Sequence, residues 1–520
     1  YSGIESPYSD AWNKTTTLNA ATKSTLLSAM GYDVDNSELL LKQVQDKSNQ
    51  AWLSVLNPVQ VLPIDQYFQI MVRLPLELVT DEYIAQISTE SGESLQHRFI
   101  PIDGQLINVE HIEEIEFQEY IIDIPIKLPM GYHSLSLVID EDVLGSMRLI
   151  AAPASCYQLP SHPKDEKKWG VKVQLSNLSS EQNWGIGDFS DLSLMLEKLA
   201  KQGAQFVKLD SISANVSVSQ PQLDIPSAGY GINFVYLDVT AIAGFENKET
   251  QVIVNNHDFK QSLQQVRAAD KADVETIASL KLRVLSAIFD YQNDSYFSKK
   301  TKHHKAFKRF ISEGGENLQA LAVFAALQEY FANQGSPCFG YSDFPEEYAD
   351  FQNSAVKKFA KKHHARVTFF QWLQWQASLQ LDQANQLALK SGMSIGVIRE
   401  ITLAGGLNGA DYWGNKELYC SAVNIGFPPS ENHPEGKRFT LTPFNPEKLF
   451  ELQYQPFIDL LRATMQSSGA LQINHVMTLL KQWWIAKEDD PNNGGFVHYP
   501  VDDLLAILVL ESHRNRKLIV

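Results

Sequence analysis

The sequence predicts a multi-domain protein in which an N-terminal β-sandwich precedes an α/β barrel that carries a long helical insertion. Three observations support this fold class. The chain has 520 residues, which is too long for one simple core. From about residue 51 to residue 153 the apolar runs are short, β-rich and separated by Pro, Gly, Asp and Ser. After about residue 165 apolar strands alternate with helical patterns, which is typical of a parallel sheet.

The first segment, residues 1–45, is predicted to be helical. Asn19 is a suitable N-cap and Gly31 a suitable C-terminal stop. The residues between them include apolar side chains at helical spacing, namely Leu26, Leu27 and Met30. Residues 46–160 form the predicted β-sandwich, with runs such as YFQIMVRLP and YIIDIPIKL.

The predicted barrel occupies residues 161–520 and begins at a polar, proline-bearing joint at residues 160–164. A helical insertion at about residues 245–390 separates its second strand from its third. The apolar strands are predicted at Val171–Leu175, Gln205–Leu209, Met393–Ile398, Leu471–Ile473 and Lys517–Val520. Because an eight-stranded barrel pairs every strand edge, five strands predict a barrel that is incomplete in this sequence.

Composition favours a soluble, cytoplasmic protein. Lys and Arg number 44 and Asp and Glu number 61, and the resulting formal charge of −17 disfavours nucleic acid and anionic membranes as partners. The three cysteines, Cys156, Cys338 and Cys420, lie far apart and form no disulfide framework or zinc spacing, which favours a reducing compartment. The polar start and the lack of a run of about 18 apolar residues predict neither a signal peptide nor a membrane span.

Active sites of parallel α/β barrels lie at the carboxyl ends of the strands. The residues just past each predicted strand are therefore the candidate site residues. SNLSSEQNWGIGDF follows the first strand, LDSISANVSV the second and IREITLAGGLNGADYW the third. The fourth strand, in LQINHVM, delivers Asn474 and His475 to the same edge.

Longer segments carry a more specific signal. They are NWGIGDF at 183–189, YQPFIDLLRATM at 454–465, GALQINHVM at 469–477, WWI at 483–485, VHYPVDDLLAILVLESHR at 497–514, ATKSTLLSAMGYD at 21–33, GYHSLSL at 131–137 and LIAAPASCY at 149–157. In these segments the chain resembles the bacterial amylomaltases, which are 4-α-glucanotransferases of glycoside hydrolase family 77. The resemblance extends over essentially the whole chain.

The resemblance implies a TIM-type (β/α)8 barrel and a defined reaction. Members of the family cleave an α-1,4-glucan, hold the donor piece covalently on an aspartate, and pass it to the 4-hydroxyl of another sugar with retained configuration. This chemistry needs a nucleophilic carboxylate and an acid/base carboxylic acid about 5–5.5 Å apart. The resemblance implies no metal or organic cofactor, and the implied partner is an α-1,4-glucan or a maltooligosaccharide.

Carried over by position, the resemblance implies a substituted catalytic centre. Asn474 occupies the nucleophile position, and Gln472 stands where the family has an arginine beside it. An amide has nearly the shape of a carboxylate but no charge, and loss of a catalytic nucleophile typically lowers the rate by about 10⁴-fold or more. The acid/base glutamate of the family is expected beyond Val520.

Four further residues are predicted to contact substrate. His475 matches the family histidine that contacts the donor sugar, and a hydrogen-bonded structural histidine is the alternative. Glu400 matches the family aspartate that follows the third strand. Trp413 is predicted to stack on a sugar, with core packing as the alternative. Tyr230 belongs to a loop, QLDIPSAGY, that has otherwise lost its first tyrosine and both arginines but keeps Pro226 and Ser227.

Other polar positions of the expected cleft are also substituted. A family arginine, a histidine and an Asn-Trp-Gly are replaced by Ser179, Ser213 and Arg438-Phe439-Thr440. Segments that build core and helices, such as VHYPVDDLLAIL, are intact. The sequence therefore predicts a member of the glucanotransferase family whose catalysis is impaired.

Two alternatives remain open at this point. One is an active amylomaltase that uses another carboxylate, such as Glu400, and the other is a non-catalytic glucan-binding or regulatory paralogue. We also expect either that the natural product continues past Val520 or that a second copy of the chain covers the open barrel edge, because an exposed apolar edge strand aggregates.

Overall fold

The computed structural model describes residues 2–159, 167–214, 228–298, 301–335, 338–401 and 403–520. The predicted joint at residues 160–164 and the loop residues Pro226 and Ser227 lie outside these ranges.

The N-terminal segment consists of two short strands and two helices: β1 (Tyr8–Ser9), β2 (Thr15–Thr16), α1 (Ala20–Ala29) and α2 (Ser37–Leu53). The Asn19 side chain accepts a hydrogen bond from the backbone N of Thr22 at 2.7 Å, and Gly31 has a positive φ just past the helix, which confirms both predicted helix ends. Helix α2 continues to Leu53, so the boundary predicted at residue 45 falls inside a helix.

The next eight strands form the predicted β-sandwich. They are β3 (Val59–Pro63), β4 (Phe68–Pro75), β5 (Tyr83–Ser88), β6 (Ser94–Phe99), β7 (Gln105–Ile112), β8 (Ile115–Ile124), β9 (Gly131–Ile139) and β10 (Asp142–Ala152). One sheet has the order β3-β10-β9-β5-β6 and the other the order β4-β8-β7. Alternate residues such as Ile70, Val72 and Leu135 are buried between the sheets, as expected for strands with one apolar face.

The barrel domain begins with strand–helix–strand: β11 (Gly170–Val173), α3 (Phe189–Lys201) and β12 (Phe206–Leu209), followed by the short pair β13 (Ser213–Ala214) and β14 (Ala228–Ile232). Leu192 and Leu196 of α3, four residues apart on one face of the helix, are buried. The helical insertion then comprises α4 (Lys248–Val254), α5 (His257–Ala268), α6 (Val274–Gln292), α7 (Lys302–Ala332), α8 (Ser354–Lys362) and α9 (His364–Lys390).

The rest of the chain contains nine strands and four helices. They are β15 (Gly396–Ile401), β16 (Ala404–Gly405), α10 (Ala410–Gly414), β17 (Val423–Phe427), β18 (Lys437–Arg438), β19 (Thr442–Pro443), α11 (Pro446–Glu451), α12 (Gln455–Met465), β20 (Ala470–Ile473), β21 (Lys481–Ala486), β22 (Gly495–His498), α13 (Val501–Asn515) and β23 (Leu518–Ile519).

Five strands form one parallel sheet in the order β11-β12-β15-β20-β23, which confirms the predicted strands and the insertion between the second and the third. One face of this sheet, with Val207, Val397 and Leu471, is buried against the surrounding helices. The opposite face carries Ile398 and Ala470, and side chains alternate between the two faces along each strand. This alternation places the polar residues discussed below on the inner face of the barrel.

A second sheet, which the sequence did not lead us to expect, lies beside the end of β20. It is antiparallel, with the order β18-β17-β21-β22. Ile4 forms a bridge with Val497 of β22, and Leu26 of α1 packs in the same cluster as Trp484 of β21. The N-terminal segment is therefore docked on the barrel domain as well as preceding the sandwich. Among the helices in the described ranges, none combines the length and apolar character that crossing a membrane requires.

Candidate active site at the carboxyl ends of the parallel strands

The centre of the candidate site is a pair of amides at the end of β20. Gln472 lies on β20, and Asn474, two residues later, directly follows the last residue of that strand. The Gln472 Nε2 donates a hydrogen bond to Asn474 Oδ1 at 2.9 Å. The predicted nucleophile position and the predicted arginine position are therefore neighbours, and they form one neutral hydrogen-bonded unit.

Charged side chains lie on the adjoining strands. Gln472 is paired in register with Glu400 of β15. The Glu400 Oε2 lies 3.4 Å from the Nζ of Lys208 on β12, and the two side chains are only 17% and 16% exposed. Nearer the sheet edge, Lys172 of β11 pairs with Asp210 at 2.8 Å, and this carboxylate raises the pKa of Lys172. The barrel interior thus carries an ion pair next to the amide pair.

His475 lies at the rim of the site and is exposed. It adopts a left-handed backbone conformation with φ 53°, where the strand turns into a short 3-10 helix. Its ring meets the Phe427 ring edge to face, with centroids 4.9 Å apart, and Phe427 also contacts Phe439 at 5.0 Å. The second sheet therefore places an aromatic wall beside the residue predicted to touch the donor sugar.

This set of groups suits a polyhydroxylated, uncharged ligand. Amides and carboxylates donate to and accept from hydroxyl groups, and aromatic rings pack on the apolar faces of sugars. The amide pair carries no negative charge, so it cannot act as the nucleophile that retaining glycosyl transfer needs. Within the described ranges, His, Cys, Asp and Glu side chains form no group of three or more that could hold a metal ion.

The predicted role of Trp413 is wrong. Its side chain has no exposed surface, its Nε1 donates to the Tyr348 carbonyl oxygen at 2.8 Å, and its ring packs against Phe324 and Phe351. A sugar cannot stack on a ring whose faces are both covered by protein. The core alternative for Trp413 is therefore the correct one.

Tyr230 is placed in a different part of the barrel domain from the amide pair. Its hydroxyl donates to the Pro456 carbonyl oxygen at 3.3 Å, at the start of α12. It lines a cleft of about 1170 Å³ between α7, α12 and α13. Among the described residues that line this cleft there is none of Glu400, Gln472, Asn474 or His475. The structure therefore does not bring Tyr230 together with the other predicted site residues.

Sequence reasoning missed three residues of the barrel domain. Lys208 is a polar residue inside the apolar run FVKL, and that break in the pattern was an available signal. Phe427 gave no signal, because its role depends on a sheet that was not predicted. Asp411 follows Gly and Ala in GADYW and accepts from the backbone N of Gly229 at 2.6 Å, and burial raises its pKa to about 7.

Comparison with known proteins identifies the family. The family model described as 4-alpha-glucanotransferase matches residues 173–520, and the one described as MalQ N-terminal beta sandwich domain matches residues 55–153. A 4-alpha-glucanotransferase of Haemophilus influenzae is 35% identical over 416 residues, which are 79% of this chain and 59% of that protein. One of Mycobacterium tuberculosis is 26% identical over an aligned length of 534, which includes gaps and covers 100% of this chain and 70% of that protein.

The fold is shared with a solved structure. The crystal structure of amylomaltase from Corynebacterium glutamicum matches with a TM-score of 0.81 at 22% identity, over 99% of this chain and 70% of that one. The chain spans only about three fifths of the length of the Haemophilus relative, 59%. The model described as 4-alpha-glucanotransferase covers well over half of the residues of this chain, so the chain belongs to the 4-alpha-glucanotransferase family.

Proposed function

We propose that this protein binds α-1,4-glucans or maltooligosaccharides at the carboxyl ends of its parallel strands and that its glucanotransferase activity is impaired. The observation that carries the proposal is the hydrogen bond of 2.9 Å between Gln472 Nε2 and Asn474 Oδ1. It lies at the position where the family resemblance implies the nucleophilic carboxylate of the reaction. Membership of the 4-alpha-glucanotransferase family supports the substrate class. His475, Glu400 and Gln472 are the proposed sugar contacts.

The amide pair favours binding over turnover for an electrostatic reason. A carboxylate at position 474 would stabilise the positive charge that develops at the anomeric carbon and would accept the glycosyl group. The carboxamide does neither, but its Nδ2 remains a hydrogen-bond donor while its Oδ1 is held by Gln472. The strand end can therefore hold a hydroxyl without forming a covalent intermediate.

Two measurements test this proposal. Isothermal titration of the full chain with a series of maltooligosaccharides should give saturable binding, and a disproportionation assay on maltotriose should give little or no glucose. Brisk glucose release would refute impaired catalysis, and absence of binding across the whole series would refute glucan binding.

One observation favours a second candidate, an active glucanotransferase that uses Glu400. This carboxylate is paired in register with Gln472, so it lies on the strand next to the amide pair. Against this role, Lys208 already engages it at 3.4 Å. If Glu400 carries the reaction, Glu400→Gln abolishes turnover while the exposed control Glu417→Gln leaves it unchanged. Unchanged turnover in Glu400→Gln rules this candidate out.

We further propose a cytoplasmic location and a division of the chain into a sandwich domain that begins after helix α2, which ends at Leu53, and a barrel domain at 161–520. All three cysteines are unpaired thiols, which supports a reducing compartment. Fractionation of the native host, with an antibody against the chain, tests the location.

A further inference from the structure

We infer that the β-sandwich helps to position the candidate site through contacts with helices α12 and α13. Tyr132 and Glu511 are the positioning residues, and they act on β20, the strand that leads to Asn474. These contacts support the site of the proposed function, but they are present in the free protein and do not require that a sugar binds. They assign a role to the N-terminal domain, which contributes no side chain to the strand-end cluster described above.

The contact between the two domains is a buried carboxylate with donors from three elements. Tyr132 of β9 donates from its hydroxyl to Glu511 Oε1 of α13 at 2.7 Å. Arg462 of α12 donates to the same oxygen from Nε at 3.0 Å and from Nη2 at 2.8 Å. Asn515 Nδ2 donates to Glu511 Oε2 at 3.0 Å. Glu511 is fully buried, so these donors replace the water that an ionised carboxylate would otherwise need.

A second bridge lies next to the first. Arg514 of α13 donates to both carboxylate oxygens of Glu90 in the sandwich, at 2.6 and 2.7 Å, and these hydrogen bonds lower the pKa of Glu90. Glu90 Oε2 also accepts from the backbone N of Tyr132 at 3.0 Å. The guanidinium of Arg148 lies over the Tyr132 ring at 4.6 Å. The Tyr132 side chain is thereby held in one position at the domain contact.

Helix α12 is connected to strand β20 by a short, closely packed turn. The helix ends at Met465 and β20 begins at Ala470. The backbone N of Gly469 donates to the Val397 carbonyl oxygen at 2.7 Å, and a Cβ at Gly469 would lie 1.5 Å from the Ile395 carbonyl oxygen. Any shift of α12 along its axis must therefore move β20, and Asn474 stands at the other end of that four-residue strand.

Helix α13 is likewise connected by a short turn to β23, the strand beside β20. It ends at Asn515, and β23 follows at Leu518, paired in register with Ala470 of β20. Glu511 joins α12 to α13, so it holds β20 and β23 in register from the outer face of the sheet. Tyr132 adds the sandwich to this link. Loss of its hydroxyl should loosen the two strands without removing any group from the site.

Hydrogen exchange of the full chain, read by mass spectrometry, tests the inference. In Tyr132→Phe we expect peptides that cover residues 470–473 and 511–519 to exchange about tenfold faster, the size expected for loss of one hydrogen bond to a buried charge. The matched control is Tyr83→Phe, which removes a buried hydroxyl that donates to the Leu78 carbonyl oxygen at 2.9 Å inside the sandwich. It should leave exchange at residues 470–473 unchanged.

A milder variant covers the case in which Tyr132→Phe does not fold. Glu90→Gln weakens the neighbouring bridge and should accelerate the same peptides about threefold, while sandwich peptides remote from the contact stay unchanged. Unchanged exchange at residues 470–473 in the folded variants, or equal acceleration by Tyr83→Phe, overturns the inference. Maltooligosaccharide titration of the wild type tests the proposed function independently. If the protein binds no sugar, the proposed function is refuted, and the exchange result still decides whether Tyr132 and Glu511 position β20.

Discussion

Two polar regions at the strand ends of the same barrel are built in opposite ways. The first, residues 183–191, follows β11, and the second, residues 472–475, ends β20. In the first, Asp188 accepts from the backbone N of Ser190 at 2.9 Å and of Asp191 at 3.0 Å. The Asp191 Oδ2 accepts from Asn183 Nδ2 at 2.8 Å. In the second, Gln472 and Asn474 bond to each other, and His475 stands exposed at the rim.

The difference separates groups that build the fold from groups that bond to each other or stand exposed at a strand end. The first region caps α3 and packs on the interior, where the buried Lys281 donates to the carbonyl oxygens of Val235 and Leu237 at 2.6 and 2.7 Å. Burial lowers the pKa of Lys281 to about 8 and raises that of Asp188 to about 6. A change in the first region therefore breaks contacts within the chain. A change in the second leaves the fold intact and alters what the site can hold.

The largest effect is expected from Gly187→Ala in the first region. A Cβ there would lie 2.1 Å from the Leu175 carbonyl oxygen and 2.7 Å from the Leu178 Cβ, so the backbone must move. We expect a loss of about 3 kcal/mol or more in the free energy of unfolding, measured by urea denaturation. The control is Gly145→Ala, whose Cβ would meet its nearest atom at 3.6 Å and should change stability by less than about 0.5 kcal/mol.

A buried acid gives the next effect, and it depends on pH. The Asp411 pKa is raised to about 7, so the folded state holds this proton more tightly than the unfolded state does. Its contribution to stability is therefore largest near pH 4 and is lost as the pH rises to about 7. Relative to Asp411→Asn, the wild type should lose about 3 kcal/mol of unfolding free energy between about pH 4 and about pH 7.

The matched control for Asp411 is Asp258→Asn, on a side chain that is 92% exposed. Its stability should follow that of the wild type at every pH in the same range. A pH profile of Asp411→Asn that is parallel to the wild-type profile would falsify the assignment.

A double-mutant cycle on the amide pair should give a smaller effect. Gln472→Arg places a cation beside a neutral amide, in a half-buried position, and should cost about 1–2 kcal/mol of unfolding free energy. Adding Asn474→Asp supplies the missing anion and should recover most of that loss, which gives a coupling energy of about 1 kcal/mol. Strictly additive changes would show that residues 472 and 474 do not act as one unit.

The smallest stability effect is expected at the rim. His475→Ala removes an exposed ring whose one packing partner among the rings of the described residues is Phe427, so stability should change by less than about 0.5 kcal/mol. Maltooligosaccharide affinity should fall by about tenfold if the ring contacts the sugar. His111→Ala, at an exposed histidine of the sandwich strand β7, is the control and should leave affinity unchanged. A large stability loss in His475→Ala would show that this residue, like residues 183–191, builds the fold.

Local pattern was sufficient for much of the fold. The N-cap of α1 and the five parallel strands were predicted in the right order, because an apolar strand, a capping side chain and a glycine stop each act within a few residues of chain. The antiparallel sheet formed by β17, β18, β21 and β22 was missed. Its strands are short, and its central pair is distant in sequence, because β17 ends at Phe427 and its partner β21 begins only at Lys481.

Much less of the site was predictable. Asn474 and His475 were placed at a strand end by counting residues along the chain. Trp413 was misassigned, because a tryptophan in GADYW has the same local pattern whether its ring faces a ligand or, as it does, Phe324 and Phe351. Lys208 and Glu400 are joined only through the register of β12 against β15.

From the chain alone, then, come the order of the parallel strands, the sandwich and the presence of an amide at the predicted nucleophile position. Each of these depends on residues that lie close together in sequence. Only the folded molecule settles which polar groups satisfy one another and which are left facing the open strand ends. The reason is that such pairings depend on distances between segments that hundreds of residues separate, as between Tyr132 and Glu511.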